Sequence, residues 1–256
     1  GQVWCRIPQA TAEDADRAVQ SAHRAFTTGP WASMTPTARG RCLRKLGDLL
    51  AEKSESLGRT ETIDTGKMLK ETRWQAKYIA EFFHFYAGCA DKISGETLPI
   101  DKPDLFVFTS REPLGVVAAI VPWNFPFAIA CWKVAPALAA GNAVLLKPAS
   151  ISPLTALKLG ELAHAAGLPA GILQVITGPG GTFGDALVTH PLIRKVSFTG
   201  SVPVGKLLAG LAGAHMKRAT MELGGHSPVL VFEDADIDRA ATMLAKFKIR
   251  NAGQVC

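Results

Sequence analysis

The sequence has no C-x-x-C pair, no block of like charges, no low-complexity tract and no G-x-G-x-x-G fingerprint. Each absence removes a class. Five cysteines (Cys5, Cys42, Cys89, Cys131 and Cys256) are odd in number and widely spaced, which argues against a disulfide framework or a zinc site and fits a reducing, cytoplasmic compartment. The basic residues are scattered. Lys plus Arg number 28 and Asp plus Glu 22, a net charge of +6, with no run of the kind that nucleic-acid or anionic-membrane binders carry. No repeat of about 20–50 residues is present, so solenoids and propellers drop out. With 48% hydrophobic and 20% charged residues over 256 positions, the balance is that of an ordinary globular protein with room for one large α/β domain or two small ones.

One uncharged stretch is long enough to span a bilayer, Pro113 to Trp132. Pro122, Asn124 and Pro126 stand in its middle, where they would break a helix and strand an amide in lipid. It reads instead as a buried strand, a turn and a helix start. No secretory signal opens the chain. It begins at Gly1 without Met and stops at Cys256, which is read as a piece of something longer.

The first hundred residues read as helices. Thr11 is a candidate N-cap, with Glu13 and Asp14 in the first turn where they suit the helix dipole. Thr35 to Ser54 carries Leu43, Leu46, Leu49 and Leu50 at helical spacing. Trp74, Tyr78, Phe82, Phe85 and Cys89 form a stripe read as core or interface, with a ligand-stacking face as the alternative. Gly95 to Pro113 then looks extended, and Asp101-Lys-Pro-Asp104 marks a hairpin turn. From Leu114 strands are expected at Gly115–Val121, Ala143–Leu146, Leu173–Thr177, Lys195–Thr199, Ala219–Leu223 and Val229–Phe232. Helices are expected at Ala128–Ala140, Leu154–Ala166, Thr182–Thr189, Pro203–Ala212 and Ile237–Ile249. This alternation predicts an α/β fold, a doubly wound, mostly parallel sheet whose ligands bind beyond the carboxyl ends of the strands.

Several strand ends carry chemistry. Gly200-Ser201-Val-Pro-Val-Gly205 opens a helix, where glycines admit a phosphate and free amides attract it; many strand-to-helix turns hold two glycines without binding anything. Lys147-Pro-Ala-Ser150 offers an ammonium and a hydroxyl to ribose or phosphate, or is a solvated turn. Asn124, held between Pro122 and Pro126, can donate to an oxygen developing negative charge, or caps its own turn. Glu222 sits in an apolar, glycine-rich setting, and a desolvated carboxylate makes a usable general base; a salt-bridge role competes. Cys256 follows a glycine turn, and a thiol there is either a nucleophile or an inert buried group.

Taken in order, Pro122–Pro126, Lys147–Ala149, Gly200–Gly205, Met221–Gly225 and Gly253–Cys256 resemble the P-W-N-F-P, K-P-A/S, G-S-x-x-x-G, glutamate and G-Q-x-C signatures of the NAD(P)-dependent aldehyde dehydrogenase superfamily. The resemblance covers essentially the whole chain and implies a Rossmann-like cofactor-binding part with an N-terminal helical segment and an oligomerisation hairpin. The implied boundaries are 1–94 for the helices, 95–113 for the hairpin, 114–249 for the dinucleotide-binding core and 250–256 for the start of a catalytic domain. It also implies roles. Cys256 is similar to the nucleophile that forms a thiohemiacetal and then a thioester with the aldehyde. Asn124, with the Cys256 N–H, resembles the oxyanion hole, and Glu222 the base that activates the deacylating water. Ile120, Trp123, Lys147, Ser150, Gly200, Ser201, Gly205 and Leu223 resemble the NAD or NADP contacts. Lys133 looks like a family lysine near the site, a surface salt bridge being the other reading, and Phe125, Ile129 and Trp132 resemble walls of the aldehyde channel.

Two departures stand out. Ser150 occupies the place where many NAD-preferring members carry Glu, so repulsion of a 2′-phosphate is absent and NADP should be tolerated. His226 stands where the glutamate signature usually continues with Lys. The family's catalytic domain continues past the nucleophile, so the 256-residue piece alone is expected to be inactive. The hairpin implies a homodimer or homotetramer, with a small-molecule aldehyde as substrate and neither nucleic acid nor membrane as partner. The alternatives are an acyl-CoA or acyl-phosphate reductase of the same fold, for which Glu222 is not needed, and a non-catalytic superfamily member.

Overall fold

A computed structural model describes residue 3 and residues 5–256; Gly1, Gln2 and Trp4 lie outside it. The N-terminal helices are α1 (Ala12–Thr27), α2 (Pro30–Ser33), α3 (Pro36–Glu52), α4 (Ser54–Thr65) and α5 (Leu69–Cys89). Thr11 caps α1 as expected: its hydroxyl accepts from the Asp14 N–H while the Asp14 carboxylate accepts from the Thr11 N–H. Such reciprocal caps stabilise a helix start by about 1 kcal/mol. The Leu-rich pattern is α3, with Thr35 at its N-cap, and α4 begins after the chain pauses at Lys53.

Most of the aromatic stripe of α5 lies outside the core. Trp74, Tyr78 and Phe85 are exposed, and the buried face is instead Thr72, Gln75, Ala76, Ile79, Ala80, Phe83 and Ala87. Where α3 comes closest this face carries alanine: a Cβ on Gly40 would lie 2.7 Å from the Ala87 carbonyl oxygen. A large side chain has no room at that closest approach, while Ile79 and Phe83 fill the face further along.

A two-residue ladder follows, β1 (Thr97–Leu98) antiparallel to β2 (Val107–Phe108), with the expected turn between them. The remaining strands are β3 (Val116–Ile120), β4 (Ala143–Lys147), β5 (Leu173–Val175), β6 (Ile193–Gly200) and β7 (Arg218–Leu223). They form one parallel sheet in the order β5-β4-β3-β6-β7. Strands β3 and β4 are buried along their full length, the continuous apolar pattern of a sheet covered on both faces. Helices α6 (Pro126–Ala139), α7 (Leu154–Ala165), α8 (Gly181–Thr189) and α9 (Val202–Ala214) connect the strands. Helices α6 and α7 pack against it with α3, α4 and α5 layered behind, while α1, α8 and α9 form the second set.

The return from α6 to β4 is made by Gly141 at φ 88°, a left-handed turn that a side chain would strain. Beside it Asn142, buried, accepts from the Leu114 and Gly115 N–H groups and donates to the Ala137 carbonyl. That one amide aligns the starts of β3 and β4.

The sixth expected strand does not form. Val229–Phe232 has no ladder partner among the described residues and its side chains are exposed; an apolar run becomes a strand only where a neighbouring edge takes its N–H and C=O groups. Helix α10 (Ile237–Lys248) follows, capped by Asp236, and a 3-10 turn over Arg250–Gly253 leads to Cys256.

Candidate active site

The strand order reverses between β3 and β6, because β4 and β5 lie on one side of β3 and β6 and β7 on the other. Loops leaving neighbouring strands there diverge to opposite faces and open a crevice at the carboxyl ends. Into it come Pro122–Phe125 after β3 and Gly200–Ser201 after β6. The register is level: Ile120 pairs with both Lys147 and Phe198, and Thr199 with Glu222.

The turn after β3 is tied to the end of the chain. Asn124 Nδ2 donates to the Gln254 carbonyl at 2.8 Å. Asn251 Nδ2 donates to the carbonyls of Asn124 at 3.3 Å and Gln254 at 3.2 Å. Asn251, Ala252 and Gly253 all take positive φ, at 50°, 54° and 74°. Two consecutive non-glycine residues there cost roughly 1–2 kcal/mol each, and the hydrogen bonds around Asn124 offset that cost. Cys256 is exposed, and its carbonyl accepts from the Gly225 N–H at 3.1 Å. The thiol-bearing residue is therefore fastened to the turn that follows Glu222.

Cys256, Asn124 and Glu222 all line one cavity of about 810 Å³, with Phe125, Ile129 and Trp132 on its wall. A second cavity of about 450 Å³ is lined by Trp123, Gly200, Ser201, Val204 and Gly224. Asn124, Thr199, Gln254, Val255 and Cys256 line both, so these five residues form the threshold between the two spaces. Glu222 differs in setting: it is exposed on β7 rather than enclosed by apolar groups, because β7 pairs only with β6 among the described residues.

Of the remaining residues picked out from the sequence, Trp123 is exposed and its carbonyl accepts from Ser152 Oγ. Ser201 is the N-cap of α9 but its side chain makes no cap bond, leaving the first amides of that helix to an outside acceptor. Ile120 and Lys147 are buried behind the crevice. Among the described residues Lys147 Nζ donates only to the Pro148 carbonyl, and burial draws its pKa below the usual lysine value. Ser150 Oγ donates to the Gly178 carbonyl at 2.8 Å. A Cβ on Gly205 would overlap the Leu223 side chain, so glycine is what lets α9 sit against β7. An uncapped helix start, a lysine with donors to spare and a close helix–strand approach fit a dinucleotide.

Lys133 lies beside the carboxylate. Its Nζ donates to Ser197 Oγ at 2.8 Å. Burial lowers its pKa to about 8; the Glu222 carboxylate opposes that shift and Lys195 adds to it.

Sequence reasoning missed the floor of the larger cavity. Lys67 Nζ donates to Glu61 Oε1 at 2.7 Å and to Gln75 Oε1 at 2.6 Å, and lies 4.3 Å from the centre of the Phe125 ring. Both members of the ion pair are 2% exposed. Burial pushes the Glu61 carboxyl up and the Lys67 ammonium down, each partly countered by its partner. A lysine two residues after a threonine-rich helix end carries no signal of burial, since lysine is almost never buried unless paired.

The family model for the aldehyde dehydrogenase family matches residues 1–256. The chain belongs to the aldehyde dehydrogenase family. Among solved structures, a putative aldehyde dehydrogenase from Burkholderia cenocepacia is 46% identical, with a TM-score of 0.96 over 100% of this chain and 54% of that one. Betaine aldehyde dehydrogenase from Staphylococcus aureus, in complex with NAD+, is 40% identical with a TM-score of 0.95, covering 98% and 50%. An NADP-dependent enzyme of E. coli is 41% identical with a TM-score of 0.94, covering 98% and 52%. The chain spans about half the length of these family members.

Proposed function

We propose that this chain carries the nucleophile, the oxyanion donor, the base and the cofactor cleft of an enzyme that oxidises an aldehyde to a carboxylic acid with NAD+ or NADP+. The observation that carries the reading is the shared cavity of Cys256, Asn124 and Glu222 beside the cleft at the strand reversal.

Cys256 Sγ, as thiolate, adds to the aldehyde carbon, and the carbonyl π pair moves onto oxygen. Asn124 Nδ2 has two hydrogens; one is held by the Gln254 carbonyl, and the other, with the Cys256 N–H, is free to donate to that oxygen. When bound, the nicotinamide supplies the two-electron acceptor that takes the substrate to the acyl oxidation level. Glu222 then takes a proton from water as its oxygen attacks the thioester carbon, and the thiolate of Cys256 leaves. Gly200, Ser201 and the start of α9 would hold the pyrophosphate, Lys147 the adenine ribose, and Trp123, Ile120, Gly205 and Leu223 would shape the cleft. Ser150 brings no carboxylate near the 2′-position, which supports use of either cofactor.

By the same reading the β1–β2 hairpin joins subunits of a homodimer or homotetramer, residues 114–249 are the dinucleotide-binding core, and the enzyme works in the cytoplasm. Free thiols throughout the described residues accord with a reducing compartment, and no described helix is long and apolar enough to cross a membrane.

The test is Cys256→Ala in the full-length protein. Cofactor binding should stay within twofold of wild type while aldehyde-dependent reduction of NAD(P)+ disappears. Turnover above about a tenth of wild type would reject the mechanism.

A further inference from the structure

The buried ion pair under the active-site turn has no part in the chemistry just described. It ties four places together: Glu61 in α4, Lys67 in the link to α5, Gln75 in α5 and the face of Phe125 at the start of α6. Phe125 follows Asn124 directly and stands at the N-cap of α6 with φ −140° and ψ 56°, outside helical geometry and without a side-chain cap. What fixes it is its surroundings. Lys67 lies against its ring on one side, and the Trp132 ring meets it edge-on at 5.3 Å.

We infer that Lys67 is a positioning residue for Asn124: its buried ammonium, held by Glu61 and Gln75, clamps the Phe125 ring and thereby sets the direction of the neighbouring amide. Phe125 offers only its ring to this contact, so the aim of the oxyanion donor depends on a cation held from behind. Lysine delivers that cation as a compact charge on a long stem, and the attraction to a ring face is strongest where water is excluded. Glu61 has the complementary task of keeping the cation from being stranded without a counter-charge, which would otherwise be costly.

The inference rests on the oxyanion role proposed for Asn124, and a double-mutant cycle in the full-length protein separates the two. Changing both charged residues together, Glu61→Gln with Lys67→Met, removes the cation without leaving a bare buried carboxylate. If Lys67 aims Asn124, this variant loses about tenfold or more in kcat, in line with the cost of misplacing an active-site group by about 1 Å, while the KM for NAD+ stays within twofold. On an Asn124→Ala background the same change costs less than twofold, because the amide it aims is gone. Equal losses in both backgrounds, or an unchanged kcat when Asn124 is present, overturn the inference. An Asn124→Ala enzyme with wild-type kcat overturns the oxyanion reading itself, and this inference with it. Phe125→Leu leaves the ion pair intact and removes the ring, so it covers the case of a double variant that does not fold. It must show the same dependence on Asn124, and a loss equal in both backgrounds refutes the clamp.

Discussion

Replacing Asn124 by alanine separates the catalytic part of this amide from its structural part. In the fold its Nδ2 makes one hydrogen bond, to the Gln254 carbonyl at 2.8 Å, and that carbonyl keeps a second donor, Asn251 Nδ2 at 3.2 Å. The carbonyl is therefore not orphaned, and the stability lost should be about 0.5–1.5 kcal/mol, the net worth of one such bond. For a full-length protein of its relatives' size, about twice this chain, that is a fall in Tm of roughly 1–3 °C. The catalytic loss is of another order: one oxyanion donor is worth about 10²–10³ in kcat. Because the interaction is made in the transition state and not in the ground state, kcat and kcat/KM should fall by the same factor. Steady-state kinetics of the full-length protein with a saturating aldehyde, beside a thermal melt of the same preparation, give both numbers. A kcat within threefold of wild type at an intact Tm refutes the role, and so does a rise in aldehyde KM with kcat unchanged.

Lys133 gives a pH prediction. Its pKa is about 8 in the fold against 10.5 for the ordinary side chain, so between those values the unfolded chain binds more protons. Stability then rises with pH across that window, and Lys133→Met should flatten part of the rise in urea midpoints between pH 7.5 and 9.5; an unchanged slope counts against the shift. Lys217, also lowered to about 8 by burial and by Arg194, adds to the rise, as do Lys67, Lys147 and Lys195, each lowered by burial. Gly40→Ala forces a Cβ to 2.7 Å from the Ala87 carbonyl oxygen and should destabilise the α3–α5 contact by about 1–3 kcal/mol, read from urea unfolding; a neutral result would mean the helices separate freely. Ser150→Glu should raise the ratio of kcat/KM for NAD+ over NADP+ at least tenfold, since it restores a carboxylate that repels a 2′-phosphate, and a wild-type preference for NAD+ beyond a thousandfold would contradict the premise.

The sheet and its loops were legible because each buried strand is a short apolar run ending in turn residues, as in Val116–Ile120 before Pro122 and Ala143–Lys147 before Pro148. Their parallel order then brings Asn124 and Glu222 to one crevice although ninety-eight positions separate them in the numbering. What could not be read depended on partners distant in sequence. The α5 stripe has helical periodicity, yet the face that packs is the one carrying Ala76, Ile79, Ala80 and Phe83. Val229–Phe232 has strand composition but no edge to pair with among the described residues. Glu222 lies in an apolar sequence and is still exposed, because local composition says nothing about what covers a strand's outer side. The Lys67–Glu61 pair was invisible for a similar reason: two charged residues six positions apart look solvated until α6 is laid over them.

The single bond from the Gly225 amide to the Cys256 carbonyl makes the thiol a built-in gauge of the turn beside Glu222. Any rotation at Gly224–Gly225 that swings the carboxylate must either break that tether or drag the sulfur with it. A small alkylating dye would then register the acid's movements as changes in its own reaction rate, and a Gly225→Pro substitution, which deletes the amide hydrogen, should uncouple the two.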